Sequence, residues 1–445
     1  MNYYFASFLF FSFYFLAIGA LLFPKVNGVR AIKRVNPITF FVIMYFLRNH
    51  LGLPFLYFSL ESFKQLRNID LDALVVIAAS NMIVAIIFLF FSVTEVYKKW
   101  DVSTDLLGRV NVPELSQIGK VISLFLVFLL YVFAIKRILD GSALLALLQT
   151  GDAGLARDTR LELYTSGAYV FGIRLQYLNV LFFAFEFFAL YVLCLGFTQK
   201  KKFYFLVSFL LFFGITLWHL SNTSKGYISV IFFYFYIVYC FYENNRKFEY
   251  VKALKLGIPL VFLASLLAYY FMGNSELYLL YPIERFTVGN LLPHYIIYSH
   301  FDITNALWGK SVPSWYTFGQ HKQFLLAEWN WRFMNGKLNT ELAYNNPSSI
   351  VAELYANFNV LGLFLILFFF SYVIFVSRLL SLIVYSRLRG VLFVYLTFYF
   401  SKYSVREFMT AIFDYRLVLT VSICSIVIYL LTKNKVPYYD SRTYL

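Results

Sequence analysis

The chain has 445 residues, 61% of them hydrophobic and 14% charged, where a soluble domain carries about 45–50% apolar and about 25% charged residues. A soluble fold would leave that excess in large exposed patches, so the composition points to lipid. Lysine and arginine outnumber aspartate and glutamate 38 to 23, but they punctuate apolar runs instead of forming one patch, which argues for membrane loops and against a nucleic-acid partner.

A spanning helix takes about 20 mostly apolar residues. Such runs predict helices over 3–23, 38–60, 71–93, 121–139, 175–197, 203–220, 227–242, 258–272, 356–376, 391–403 and 417–431, about eleven crossings. The first run has no charged region before it and no small-residue cleavage site, so it reads as a retained span. Cys194, Cys240 and Cys424 each lie inside an apolar run. They show neither metal spacing nor a disulfide pattern, and read as small buried hydrophobes. The expected architecture is an all-α polytopic bundle forming one membrane domain over 1–445.

Alternate loops rich in Lys and Arg mark the cytoplasmic face. VNGVRAIKRVNP, TEVYKKWDVS, TQKKK, NNRKFEYVKALK, SRLLSLIVYSRLRG and KNKVPYYDSR form that set. The C-terminus is then cytoplasmic, and the loops over 140–173 and 273–346 lie outside. Loops beyond about 12–15 residues are uncommon unless functional or disordered. The second contains Trp308, Trp315, Trp329 and Trp331, an aromatic content foreign to disorder, and is expected to form a structured cap at the interface.

Charge inside a membrane is costly and faces a cavity or a partner. Arg48, Asn49 and His50 interrupt the second run. They read either as a broken helix reaching the surface or as the edge of a cavity admitting a charged headgroup. The loop LQTGDAGLARDTRLELYTSGAYVFGIR carries Arg157, Arg160 and Arg174, whose rigid donor forks match phosphate oxygens; Asp158 and Glu162 could simply pair with the first two. At the ninth run, NNPSSIVAELYANFNVLG places Pro347 in a first helical turn after Asn345 and Asn346 as caps. Ser349, Glu353 and Asn357 then recur every four residues as one polar stripe. Its carboxylate could take a proton, pair with an arginine, or brace the cap. Lys225 in SNTSKG and Arg406 after Lys402 sit at outer bends, where they could reach a phosphate or anchor span ends. His294, His300 and His321 share the long loop with Asp302 and Glu328. No nucleotide loop, metalloprotease motif, nucleophile elbow or zinc spacing occurs, so the expected chemistry uses no cofactor or metal.

With its length, the TSKG turn after the sixth run and the late loop ending in NPSSIVAELYANFNVLG, the chain resembles the bacterial O-antigen polymerases of the Wzy type. The likeness covers nearly the whole chain in topology and a small part of it in motif. It implies a GT-C-like glycosyltransferase architecture, similar to that of lipopolysaccharide ligases. It also implies polymerisation of undecaprenyl-pyrophosphate-linked repeat units at the periplasmic face of the inner membrane. Donor and acceptor would both be lipid-linked glycans, with a chain-length regulator as a possible protein partner. In that reading Arg157, which precedes Gly167 as in the family, holds the pyrophosphate together with Arg160, Arg285, Lys225, Arg48 and Arg406. Arg285 lacks the glycine that follows its family counterpart, and Lys225 stands where the family has arginine. The base would be Glu353 or a loop histidine, with Glu353 and His300 the candidates carried forward. Two alternatives are a ligase, against which Asn345-Asn346 replaces that family's histidine-asparagine pair, and a transporter or flippase, for which no internal repeat is found.

Overall fold

The computed structural model describes residues 2–26, 28–58, 70–107, 112–140, 142–150, 155, 159, 169–170, 173–221, 227–255, 257–259, 262, 281–311, 324–334, 348–405 and 415–432. Among the described residues the protein is all-α apart from two short hairpins, β1 (Lys25–Val26) with β2 (Val29–Arg30) and β3 (Tyr169–Val170) with β4 (Ile173–Arg174). The first helices are α1 (Tyr3–Leu22), α2 (Pro37–Asn49), α3 (Leu53–Tyr57), α4 (Leu71–Val93), α5 (Glu95–Leu107), α6 (Gln117–Leu139) and α7 (Ala143–Thr150). They are followed by α8 (Leu175–Gln199), α9 (Lys202–Ser221), α10 (Tyr227–Tyr242), α11 (Tyr281–His300) and α12 (Leu326–Met334). The last four are α13 (Ile350–Phe364), α14 (Ile366–Ile383), α15 (Arg389–Ser401) and α16 (Tyr415–Leu431).

Among the described residues, seven helical segments are long and apolar enough to cross a membrane: Tyr3–Leu22, Pro37–Tyr57, Leu71–Val93, Gln117–Leu139, Leu181–Gln199, Lys202–Ser221 and Ile366–Ile383. Ile231–Tyr242, Ile350–Phe364 and Arg416–Leu431 are apolar but shorter. Most of the expected run over 258–272 lies outside the described residues. All three cysteines are buried and free.

Two regions differ from the sequence expectation. The stretch read as one outer loop, 273–346, contains the 20-residue helix α11. Leu291, Tyr295, Ile296, Ile297 and Tyr298 on it are buried. Glu284, Arg285, Asn290, Pro293 and His294 dilute its apolarity below what a run-length criterion recognises. The ninth run, expected over 356–376 behind a helical entry at Pro347, has its described helix from Ile350, where the Ser349 hydroxyl is the cap and accepts the Ala352 N–H. Asn345, Asn346 and Pro347 lie outside the described residues. The helix then breaks at Asn359, whose φ of 53° and ψ of −144° are not helical. Asn tolerates positive φ because its side chain bonds locally, and here Oδ1 accepts the Val360 N–H. The bend is sharp: a Cβ on Gly362 would lie 2.0 Å from the Leu354 carbonyl oxygen.

The chain divides into two compact units. One comprises Met1–Asp101, Leu280–Val376 and Thr397–Asp414; the other comprises Val102–Leu279, Ser377–Leu396 and Tyr415–Leu445. In the first, α1 packs along α4, and α11 packs against α2, α4 and α13. Phe41 meets Phe369 and Phe370, which also touches Phe88 and Phe91. The start of α2 is fixed by a buried polar cluster. Asn36 caps it by accepting the Thr39 N–H, and donates to Tyr97 Oη at 2.8 Å and Asp101 Oδ1 at 3.1 Å. Arg34 lies 3.6 Å from the other Asp101 oxygen. In the second unit α8 packs against α9, α10 and α16, and α9 against α6. Phe182 stacks on the fully buried Trp218, and the Tyr234 hydroxyl donates to buried Glu186.

Candidate functional site

Polar groups concentrate in the first unit where α2, α4, α11 and α13 pack. A helix that breaks inside an apolar span leaves backbone groups needing partners, and in lipid those partners must be protein. The break after Asn49 meets this demand through Asn81, the lone amide in the apolar run of α4. Its Nδ2 donates to the Asn49 carbonyl at 3.1 Å and lies 3.3 Å from His50 Nδ1, while its Oδ1 accepts from the Tyr45 hydroxyl at 2.5 Å. His50 is buried and stacks on Tyr14 with centroids 4.2 Å apart. Asn49 Nδ2 donates to the Ser404 carbonyl at 3.1 Å, and Arg48 Nη1 donates to Ser404 Oγ at 3.2 Å. No carboxylate forms an ion pair with Arg48 among the described residues, although its Nε is buried without a partner. A cation so placed attracts an anion.

The stripe on α13 forms the second half of the site. Ser349, Glu353 and Asn357 are all fully buried. His294 Nε2 lies 2.5 Å from Ser349 Oγ. Ser311 donates to Glu353 Oε1 at 2.9 Å, and Asn357 Nδ2 donates to Ser311 Oγ and to the Glu353 carbonyl, both at 2.8 Å. The loop before Ser311 is stitched to the end of the stripe: the N–H groups of Leu307, Trp308 and Gly309 donate to Ala356 O, Asn357 O and Asn357 Oδ1. The Tyr45 and His294 rings, 6.4 Å apart, join the two halves. The result is a carboxylate held by a hydroxyl donor on a short helix, with a histidine of α11 against the serine one turn earlier and a guanidinium at the neighbouring break. Such a set can take a proton from a bound hydroxyl and bind an anion. Among the described residues no group of three or more His, Cys, Asp or Glu side chains is placed to hold a metal ion.

The expected residues separate accordingly. Glu353 stands in the centre of the network, and Arg48 at its edge. His300 lies elsewhere, exposed at the end of α11, with its ring 4.7 Å from that of Trp329. The histidine brought to the stripe is His294. Arg157, Arg160, Lys225 and Arg406 lie outside the described residues, as does the side chain of Arg285 on α11. Sequence reasoning missed Asn81, Tyr45, Ser311 and Ser404. Asn81 carried a usable signal, a solitary amide within an apolar span; the hydroxyls carried none. No family model, no curated protein and no solved structure matches this chain.

Proposed function

We propose that the chain is a membrane glycosyltransferase that polymerises lipid-linked oligosaccharide repeat units on the periplasmic side of a bacterial inner membrane, crossing it about eleven times. The buried Ser349–Glu353–Asn357 stripe, held against an exposed loop, is the observation that carries this reading. In the proposed step the acceptor sugar's hydroxyl gives its proton to Glu353 and its oxygen bonds to the anomeric carbon of the donor glycan. The bond from that carbon to the polyprenyl pyrophosphate breaks, and the departing oxygen takes the electron pair. Arg48 offsets the developing charge, with Arg157, Arg160, Arg285, Lys225 and Arg406 as further candidates. His294, through Ser349, positions the start of the helix carrying Glu353. A GT-C-like architecture, a cytoplasmic C-terminus and a chain-length regulator as partner belong to the same proposal.

The breaks at His50 and Asn359 favour one second reading, a carrier for lipid-linked glycans, since carriers place polar sites at interrupted helices. The surface-glycan profile of a strain lacking the gene, with and without its restoration, separates the two. Collapse of a ladder to one repeat unit supports polymerisation. Loss of all outer glycan supports the carrier, and an unchanged ladder defeats both.

A further inference from the structure

Trp308 occupies a conformation that its side chain does not favour. Its φ is 49°, in the left-handed region where a bulky residue is an outlier, and such strain persists only where the surroundings impose it. Here they do. The Trp308 N–H is bonded to Asn357 O, its neighbours Leu307 and Gly309 are bonded to Ala356 O and Asn357 Oδ1, and the Lys310 N–H closes a turn onto Leu307 O. These contacts bury Leu307 and Ser311 but leave the Trp308 side chain 59% exposed. Gly309 beside it has open space where a Cβ would be. Three residues beyond Trp308, Ser311 holds the Glu353 carboxylate. The fold therefore spends strain to present an indole face, three residues from the hydroxyl that donates to Glu353 and bonded through its own N–H to the helix that carries Glu353, without using that face for its own packing.

A second source of exposed tryptophan is the membrane interface, where the ring anchors a protein to lipid. Ile303 on the same loop is also exposed, but the other exposed neighbours of Trp308 favour water. Asp302, Thr304, Asn305 and Lys310 are all exposed on the same loop. The Asp302 carboxylate accepts the Thr304 hydroxyl and the N–H groups of Thr304 and Asn305, which fixes the approach to Trp308. An anchor also needs no rigid backbone, because lipid contact imposes no geometry on the indole.

We infer that Trp308 is the platform of a carbohydrate subsite, taking the apolar face of a pyranose ring in the acceptor glycan. The C–H bonds on one face of a pyranose pack against the electron-rich face of the indole, and a platform pinned to α13 keeps that ring in register with Glu353. This inference rests on the glycosyl-transfer reading and adds a specific subsite to it.

The test uses the full-length protein in lipid nanodiscs and, as probe, the free oligosaccharide released by mild acid from the strain's lipid-linked repeat unit. Binding is read by calorimetry for the natural protein and for Trp308→Ala, Trp308→Phe and Trp308→Tyr. Trp308→Ala should weaken binding about tenfold while Phe and Tyr retain most of it. In nanodiscs of brominated lipid, the quenched fraction of total tryptophan fluorescence should not fall in Trp308→Tyr, and should rise as a water-facing, unquenched emitter is removed. Equal oligosaccharide affinity across all four proteins would overturn the subsite. So would quenching that disappears with Trp308, which would make the residue a lipid anchor. If the gene-deletion profile is a polymerase profile and Trp308→Ala still binds normally, the subsite alone fails; if that profile is unchanged, the glycosyl-transfer reading itself fails.

Discussion

Replacing Glu353 by Gln and by Ala separates chemistry from packing. The carboxylate is fully buried, and the Ser311 hydroxyl donates to it at 2.9 Å while receiving the Asn357 amide at 2.8 Å. Glutamine keeps an oxygen where Ser311 donates, so Glu353→Gln should change unfolding stability by less than about 1 kcal/mol. It has no group that accepts a proton, so turnover should fall by about 10²–10⁴-fold if Glu353 is the general base. Alanine removes the buried oxygen to which the Ser311 hydroxyl donates, at about 1–3 kcal/mol, with a further cost for the emptied space. The assays are glycan ladder length in a complemented deletion strain, turnover of purified protein on lipid-linked repeat units, and thermal unfolding in detergent. Full turnover by Glu353→Gln would refute the base role. A Gln variant as unstable as the Ala variant would show that the carboxylate serves as a brace.

Three other outcomes test the structure independently of function. Asp101→Ala should destabilise the protein by about 3–5 kcal/mol, because it removes the buried carboxylate that accepts from Asn36 and lies 3.6 Å from the Arg34 guanidinium; Asp101→Asn should cost less, and equal midpoints for all three proteins would contradict the buried cluster. Gly362→Ala should lower the unfolding midpoint and expression level sharply, since its methyl would lie 2.0 Å from a backbone oxygen at the bend, and overpacking of this kind costs about 1–3 kcal/mol or more. Bonds from Thr304 and Asn305 hold the Asp302 carboxyl below its usual range. A depressed folded value means that the group stabilises its loop above the unfolded value of about 3.9 and that this support is lost as pH falls through the lower folded value. Amide exchange at Thr304 and Asn305, corrected for its intrinsic pH dependence, should therefore stay flat from neutral pH to about 4 and rise below; a rise beginning near pH 6 would contradict this.

Helix positions were legible in several runs where apolarity alone decides structure. The run over 71–93 is α4 to the residue, and 227–242 is α10. Spacing also revealed the stripe on α13, because residues four apart must share a helical face whatever surrounds them. What could not be read was pairing across the chain. Nothing local to Ser404 announces that it meets Arg48, and nothing in α11 distinguishes His294 from His300 before the packing of α2, α4 and α13 selects one. The break at Asn359 escaped for a different reason. The residues on both sides are apolar, and the positive φ depends on an asparagine that a hydropathy average treats as noise.

The bonds of Asn81 also constrain how the protein enters the bilayer. The chain delivers α2 first, with the Asn49 carbonyl and the Tyr45 hydroxyl still waiting for an amide that lies on α4. Hydrocarbon offers those groups no partner. Released alone, α2 would leave them bare in lipid. Sheltering α2 until α4 arrives would satisfy those groups, with the two helices entering the membrane as a pair. An Asn81 substitution would then register first as a failure of biogenesis, with chains cleared by proteolysis before any of them reaches its working form.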